Sequence, residues 1–192
     1  MLSHCFGQDD LAYNKTFQKT FSEGEIKDLQ LLYDFFNETI CSDSESQNIE
    51  DCYNKFFRRM EQTENLEELE LNIPFDKQKG IYSQFQDSTF FNIWTFGWIV
   101  DRTNSPQDTL KNIHFVYNGK YLLFLKRTGN ADKVIKNYYQ SIVAFGDLTP
   151  VLIGGLVYYY SNYNISDIRV RFIIAMHYLT LNDQFERREN YK

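Results

Sequence analysis

Three histidines and three cysteines are the scarce reactive side chains in a chain of 192 residues that carries 26 acidic ones. His177 lies in RFIIAMHYLTL, apolar almost all round, which predicts a central buried helix. A buried imidazole needs a hydrogen-bond partner, and its pKa moves readily with burial. An acid such as Asp147 would orient it as a general base, and the chain would then be a small hydrolase. A core histidine bonded to a backbone carbonyl or a Tyr hydroxyl explains the same residue more simply. His114 falls in a segment of mixed pattern, and His4 near the start of the chain. The acids of EQTENLEELE, Glu64, Glu67, Glu68 and Glu70, read as a solvated face rather than a glycosidase pair. G-x-G-x-x-G, H-E-x-x-H and G-x-S-x-G are all missing, and Gly119-Lys120 is followed by Tyr121 rather than the Ser or Thr of a P-loop.

The thiols are more informative. CSDSESQNIEDC places Cys41 and Cys52 at the two ends of a polar stretch. Ile26, Leu29, Leu32, Tyr33, Phe36 and Ile40 recur at helical spacing before it, and Ile49, Cys52, Tyr53, Phe56 and Met60 after it. The stretch is therefore the turn of an αα-hairpin, and a disulfide between Cys41 and Cys52 is within reach. Two buried thiols are the alternative, since Cys52 sits on an apolar stripe. A metal site fits worse: no His is near, and an EF-loop begun at Asp43 would have Asn48 where Gly is needed. No metal or cofactor is expected. Met1 to Gly7 reads as the remnant of a truncated signal peptide, with Cys5 and Gly7 as the small residues before a cut at Gln8. The Phe6-Gly7-Gln8 ending resembles the signal-peptide ends of bacterial exported proteins whose mature chains begin with Gln. Export would remove Cys5, leave an even number of thiols and favour the bridge; a cytoplasmic protein is the alternative.

Tyrosines supply the third candidate. Tyr158, Tyr159, Tyr160 and Tyr163 cannot all face one core, because successive helical residues rotate by about 100°. Some of these rings should reach a surface or groove, and Tyr is enriched at binding faces. They are the expected contact residues for a protein or peptide partner. Gly154 and Gly155, upstream in the same helix, would allow close approach by a ligand or, more simply, by a neighbouring backbone.

The elements that must hold these residues are mostly helical. Ser22 with Glu25 makes a capping box, Ser105-Pro106 and Thr149-Pro150 are helix starts, and Gly146 ends a helix begun near Ala131. Further helices are expected over Phe75 to Phe85, from Ser88 with Phe91, Trp94 and Trp98 on one face, and from Ser166 to about Arg188. The stretch 112–125 is ambiguous: Asn118-Gly119 signals a hairpin, while Leu110, Ile113, Tyr117, Tyr121 and Phe124 keep helical spacing, and two helices breaking at Gly119 are favoured. The fold expected is all-α, one domain of antiparallel helical hairpins with about seven or eight helices. It spans residues 21–190 after a tail at 8–20, with one short β-hairpin near 112–125 as the alternative.

Bulk properties narrow the function. A net charge of -6 argues against nucleic acid. The longest apolar run, around Val151 to Tyr160, is about half the ~20 residues a membrane span needs. The function expected from sequence is a non-catalytic, extracytoplasmic module that binds a protein or peptide.

Overall fold

The computed structural model describes residues 9–42, 48–62, 70–100, 109–187 and 190–191. The leader expected at residues 1–7, the acidic stretch holding Glu64, Glu67 and Glu68, and the helix start at Ser105-Pro106 lie outside the described residues. Among those described, the chain is helical with a small sheet. In order it forms α1 (Lys15–Thr20), α2 (Glu23–Cys41), α3 (Ile49–Glu61), α4 (Phe75–Tyr82), α5 (Asp87–Ile93), β1 (Trp94–Val100) and β2 (Thr109–Phe115). It continues with α6 (Lys120–Gly129), α7 (Lys133–Phe145), α8 (Pro150–Tyr158), α9 (Ile168–Glu186) and a short β3 (Asn190–Tyr191).

Helix α9 is the hub. Every residue from Val170 to Asp183 is buried, so the apolar all-round pattern of its sequence marks a helix enclosed by others. Helices α2 and α3 pack as an antiparallel pair against it, with Phe36, Phe56 and Phe57 clustered around Tyr178. The capping box forms as expected: the Ser22 side chain accepts from the Glu25 amide while the Glu25 carboxylate accepts from the Ser22 amide. Asp167 rather than Ser166 caps α9, and Gln86 rather than Ser88 precedes α5. Helix α7 stops at Gly146, whose φ of 78° is left-handed, and Thr149 with Pro150 opens α8 as the sequence indicates.

Three expectations are corrected. Residues 9–20 are not a tail: a 3-10 turn over Leu11–Tyr13 and helix α1 insert Leu11 and Phe17, both fully buried, into the core. Arg171 in α9 holds this segment through Asp9 and also donates to the Tyr33 hydroxyl at 2.9 Å.

Phe91, Trp94 and Trp98 do not share a helix face, because α5 ends at Ile93 and Trp94 begins a strand. WTFGWIV carries a period of two as well as the helical spacing, with Trp94, Phe96 and Trp98 on one side and Gly97 on the other. Tertiary contact decides between the periods. Strand β2 pairs antiparallel with β1, Trp94 opposite Phe115 and Phe96 opposite Ile113, and the Trp94 indole donates to Thr180 Oγ1 in α9 at 3.0 Å. A Cβ at Gly97 would lie 2.7 Å from the His114 ring, so the strand needs glycine there.

Asn118-Gly119 is a turn, but it joins a strand to a helix. The hairpin itself spans Trp94–Val100 and Thr109–Phe115, and the rest of the 112–125 stretch is this turn and the start of α6. Gly119 is needed because an added Cβ would meet the Asn92 carbonyl at 2.7 Å.

Buried polar side chains pin the outer helices to one another. Glu25 accepts from Lys120 Nζ at 2.6 and 2.7 Å and from Asn92 at 2.7 Å, joining α2, α5 and α6. Burial alone would raise the Glu25 pKa; the bonds from Lys120, Ser22 and Asn92 more than offset this and hold the carboxyl below its ordinary range. Asp28, one turn along, accepts from the Gln86 amide and the Thr89 hydroxyl. Glu25→Ala would strip four donors, the Ser22 amide and hydroxyl, Asn92 and Lys120, of their acceptor and should lower the unfolding free energy by about 2–4 kcal/mol. Leu31→Ala, exposed on the same helix, should change it by less than about 0.5 kcal/mol in the same urea titration.

Candidate functional site

Cys41, the last residue of α2, and Cys52, in α3, are disulfide-bonded with their Cα atoms 5.1 Å apart. Cys52 is also fully buried, so the apolar stripe and the bridge are compatible. The bond closes the α2–α3 turn and does no chemistry beyond that in this structure.

The histidines sit differently from the arrangement in which His177 pairs with Asp147. His177 is fully buried, and its Nδ1 shares a hydrogen bond of 2.9 Å with the Tyr138 hydroxyl of α7. Burial pushes its pKa down to about 3, so the ring is neutral. Asp147 instead accepts from His114 Nδ1 at 2.8 Å, and its other oxygen accepts from Gln184 at 2.9 Å and from the Leu148 amide at 2.7 Å. The bond to Asp147 raises the His114 pKa against the opposing effect of burial. The arrangement clasps β2 to the α7–α8 turn. Asp147 thus pairs with His114 rather than His177, a choice that helical spacing over 110–124 hides because it conceals the strand presenting His114.

Around His177 the core holds a second group of polar atoms. Tyr121, Tyr138 and Tyr178 are all fully or almost fully buried. His177 Nε2 and the Tyr178 hydroxyl have no hydrogen-bond partner among the described residues. Desolvation raises the pKa of each of these phenols, and Tyr163 adds to the rise in all three. The Tyr121 and Tyr138 hydroxyls adjoin, and their hydrogen-bonding contact lowers the pKa of Tyr121 while raising that of Tyr138.

Tyr138 and Tyr163 also form a wall of a groove of about 300 Å³ between α7 and α8. Helix α8 has no charged residue; Leu152, Ile153, Leu156 and Val157 face the core at helical spacing and leave Val151 and Tyr158 outside. Val151 is 82% exposed, Phe145 67% and Tyr159 63%, and all three line the groove. Of the four tyrosines singled out from sequence, Tyr158 and Tyr159 are exposed, Tyr163 is half-buried, and Tyr160 is stacked on Phe57 with ring centroids 4.8 Å apart. Tyr160 is thus a packing residue. Phe145 and Val151 were missed as members, although the core spacing of α8 already placed Val151 on its outer side.

A larger groove of about 750 Å³ beside α2 and α3 presents Lys55, Arg58, Arg59 and Lys77 with Glu38. Arg59 is committed to the Leu71 carbonyl and the Phe56 ring, and Lys55 is also engaged. No group of three or more His, Cys, Asp or Glu placed to hold a metal occurs among the described residues, and none of their helices is long and apolar enough to cross a membrane.

The two histidines predict opposite pH limbs. His177 is neutral when folded and gains a proton on unfolding below its ordinary value of about 6.5, so stability falls as the pH drops from there towards 3. His114 has a raised folded pKa; its contribution is complete below about 6.5 and is lost as the pH rises through the folded value. Thermal melts should show that His177→Leu with Tyr138→Phe flattens the acid limb above the carboxylate range, and that His114→Gln flattens the alkaline one.

No protein-family model matches the chain, and neither curated proteins nor solved structures give a match, so the geometry of the groove is what carries a functional reading.

Proposed function

We propose that the protein is a non-catalytic, extracytoplasmic interaction module that docks an uncharged peptide segment of a partner protein in the α7–α8 groove. One observation carries this reading: three of the most exposed large apolar side chains, Val151, Phe145 and Tyr159, line a single concave site. Scattered exposed apolar residues are normal, but a contiguous apolar face is characteristic of a contact surface. The lining carries no charge, and Asn137, Ser141 and Asn162 offer hydrogen bonds at its rim, which suits a peptide backbone with an apolar side chain and disfavours an acidic or basic one. The hydrolase alternative is less well supported, because His177 is buried beside a phenol rather than exposed beside a carboxylate. Export is supported by the Cys41–Cys52 bridge, which an oxidising compartment would maintain.

Peptides selected from a random display library on the wild-type protein should bind Val151→Lys at least about tenfold more weakly, with the melting temperature of the variant unchanged. Equal binding by the variant places the contact face elsewhere. Protein taken from its native compartment under alkylation should gain two hydrogens in intact mass on reduction, and labelling of Cys41 and Cys52 without reductant would count against export.

A further inference from the structure

The larger groove, of about 750 Å³, is lined by residues of α2, α3 and α4 and shares none of them with the groove between α7 and α8. Its charge sets it apart. The chain carries a net charge of -6, yet the described lining of this groove gathers Lys55, Arg58, Arg59 and Lys77 around one acid, Glu38. Arg58 and Arg59 stand three and four residues beyond Lys55 on α3, so the three share a helix face, and Lys77 joins them from α4. These cations are committed to different degrees. Lys55 is already engaged, and Arg59 is held in place by the Leu71 carbonyl at 3.2 Å and by the Phe56 ring, whose centroid is 5.5 Å from its guanidinium carbon. A guanidinium has five N–H donors, so Arg59 keeps several to offer from a fixed position. Arg58 and Lys77 are exposed and meet no acid among the described residues. The lining is not charged throughout: Phe35 and Pro74 reach the same surface, and Thr39, Ser42 and Gln62 offer hydrogen bonds.

We infer that this groove binds an acidic stretch of a partner protein, with carboxylates on Arg58, Arg59 and Lys77 and an apolar side chain against Phe35 and Pro74. Arginine matches a carboxylate in a planar, two-bond geometry, and the hydroxyl and amide groups of the lining suit a peptide backbone. A compact anion such as phosphate would leave the apolar part of the lining uncovered. A sulfated polysaccharide would bring charge but no apolar side chain, and a nucleic acid is disfavoured by the negative charge of the chain as a whole.

The test titrates the intact 15N-labelled protein at low salt with a capped heptapeptide of six glutamates around a central leucine. Controls replace the glutamates by lysine, replace the leucine by glycine, or use heparin as a sulfated polysaccharide. The glutamate–leucine peptide should shift the backbone amides of α2, α3 and α4 but not those of α7 and α8, and added salt should weaken it. The lysine peptide should not bind, and the glycine peptide should bind at least about threefold more weakly. Arg58→Gln with Lys77→Gln, both exposed, should weaken the glutamate–leucine peptide at least about fivefold at an unchanged melting temperature. Equal binding of the glutamate and lysine peptides, equal binding of the leucine and glycine peptides, or full affinity in the double variant overturns the inference. Heparin shifting these amides where the peptide does not makes a polysaccharide the ligand and overturns it too. So does binding of the peptide only after Glu64→Gln, Glu67→Gln and Glu68→Gln, which would make the chain's own acids the occupant.

Discussion

Enclosure of α9 on every side is the constraint from which most of this architecture follows. A helix surrounded by other elements satisfies its own backbone, but each polar side chain along it must find a partner that is also buried. Arg171 reaches Tyr33, the Ile165 carbonyl and Asp9; Thr180 receives the Trp94 indole; Asn182 donates to Gln78 and to the Ile73 carbonyl; Asp183 is bridged by Arg187. These contacts run from one helix to α2, β1, α4 and the N-terminal segment. Apolar packing alone tolerates small slips of one helix along another, whereas a bonded side chain has one correct position. The polar residues of α9 therefore set the register of their neighbours, and the rings packed around them supply the bulk of the burial.

His177 is the exception within that set. It is partnered on one nitrogen and orphaned on the other, and the neighbouring Tyr178 phenol shares the deficit. The residues with unpaired atoms belong to α6 and α9, and none of them lines the groove. Tyr138 is bonded to His177 and lines the groove together with Tyr159 and Tyr163.

Much of the helical frame was legible because its signals are local. The Ser22–Glu25 box, the Thr149-Pro150 start and the Gly146 stop each act within a single turn, and all three appear where the residues place them. The Cys41–Cys52 bridge was legible for the same reason, since both helices flanking it have clean stripes. What could not be read depends on distant partners. WTFGWIV satisfies helical and strand periods alike until Phe115 and Ile113 lie opposite it. Residues 9–20 have no period of their own, and they are ordered by Arg171, which lies far along the chain. Of the candidate site, sequence supplied α8 and its tyrosines but not the sorting of those rings: Tyr160 is held down by Phe57, and Phe145 joins the groove only because α7 turns back at Gly146.

The position of α9 in the chain has a consequence for biogenesis. Every helix it packs against precedes it in sequence, and only the two-residue β3 follows it among the described elements. During synthesis from the N-terminus, α1 to α8 emerge before the helix that most of them enclose, so the faces turned towards α9 wait for it. The α2–α3 hairpin is local enough to form early, and its disulfide can lock it before the rest arrives. The α6–α7 pair is local too, whereas docking of the outer helices on α9 joins residues far apart in sequence, so consolidation of the domain is a late event. A chain built this way leaves aromatic surface exposed until its hub has been made.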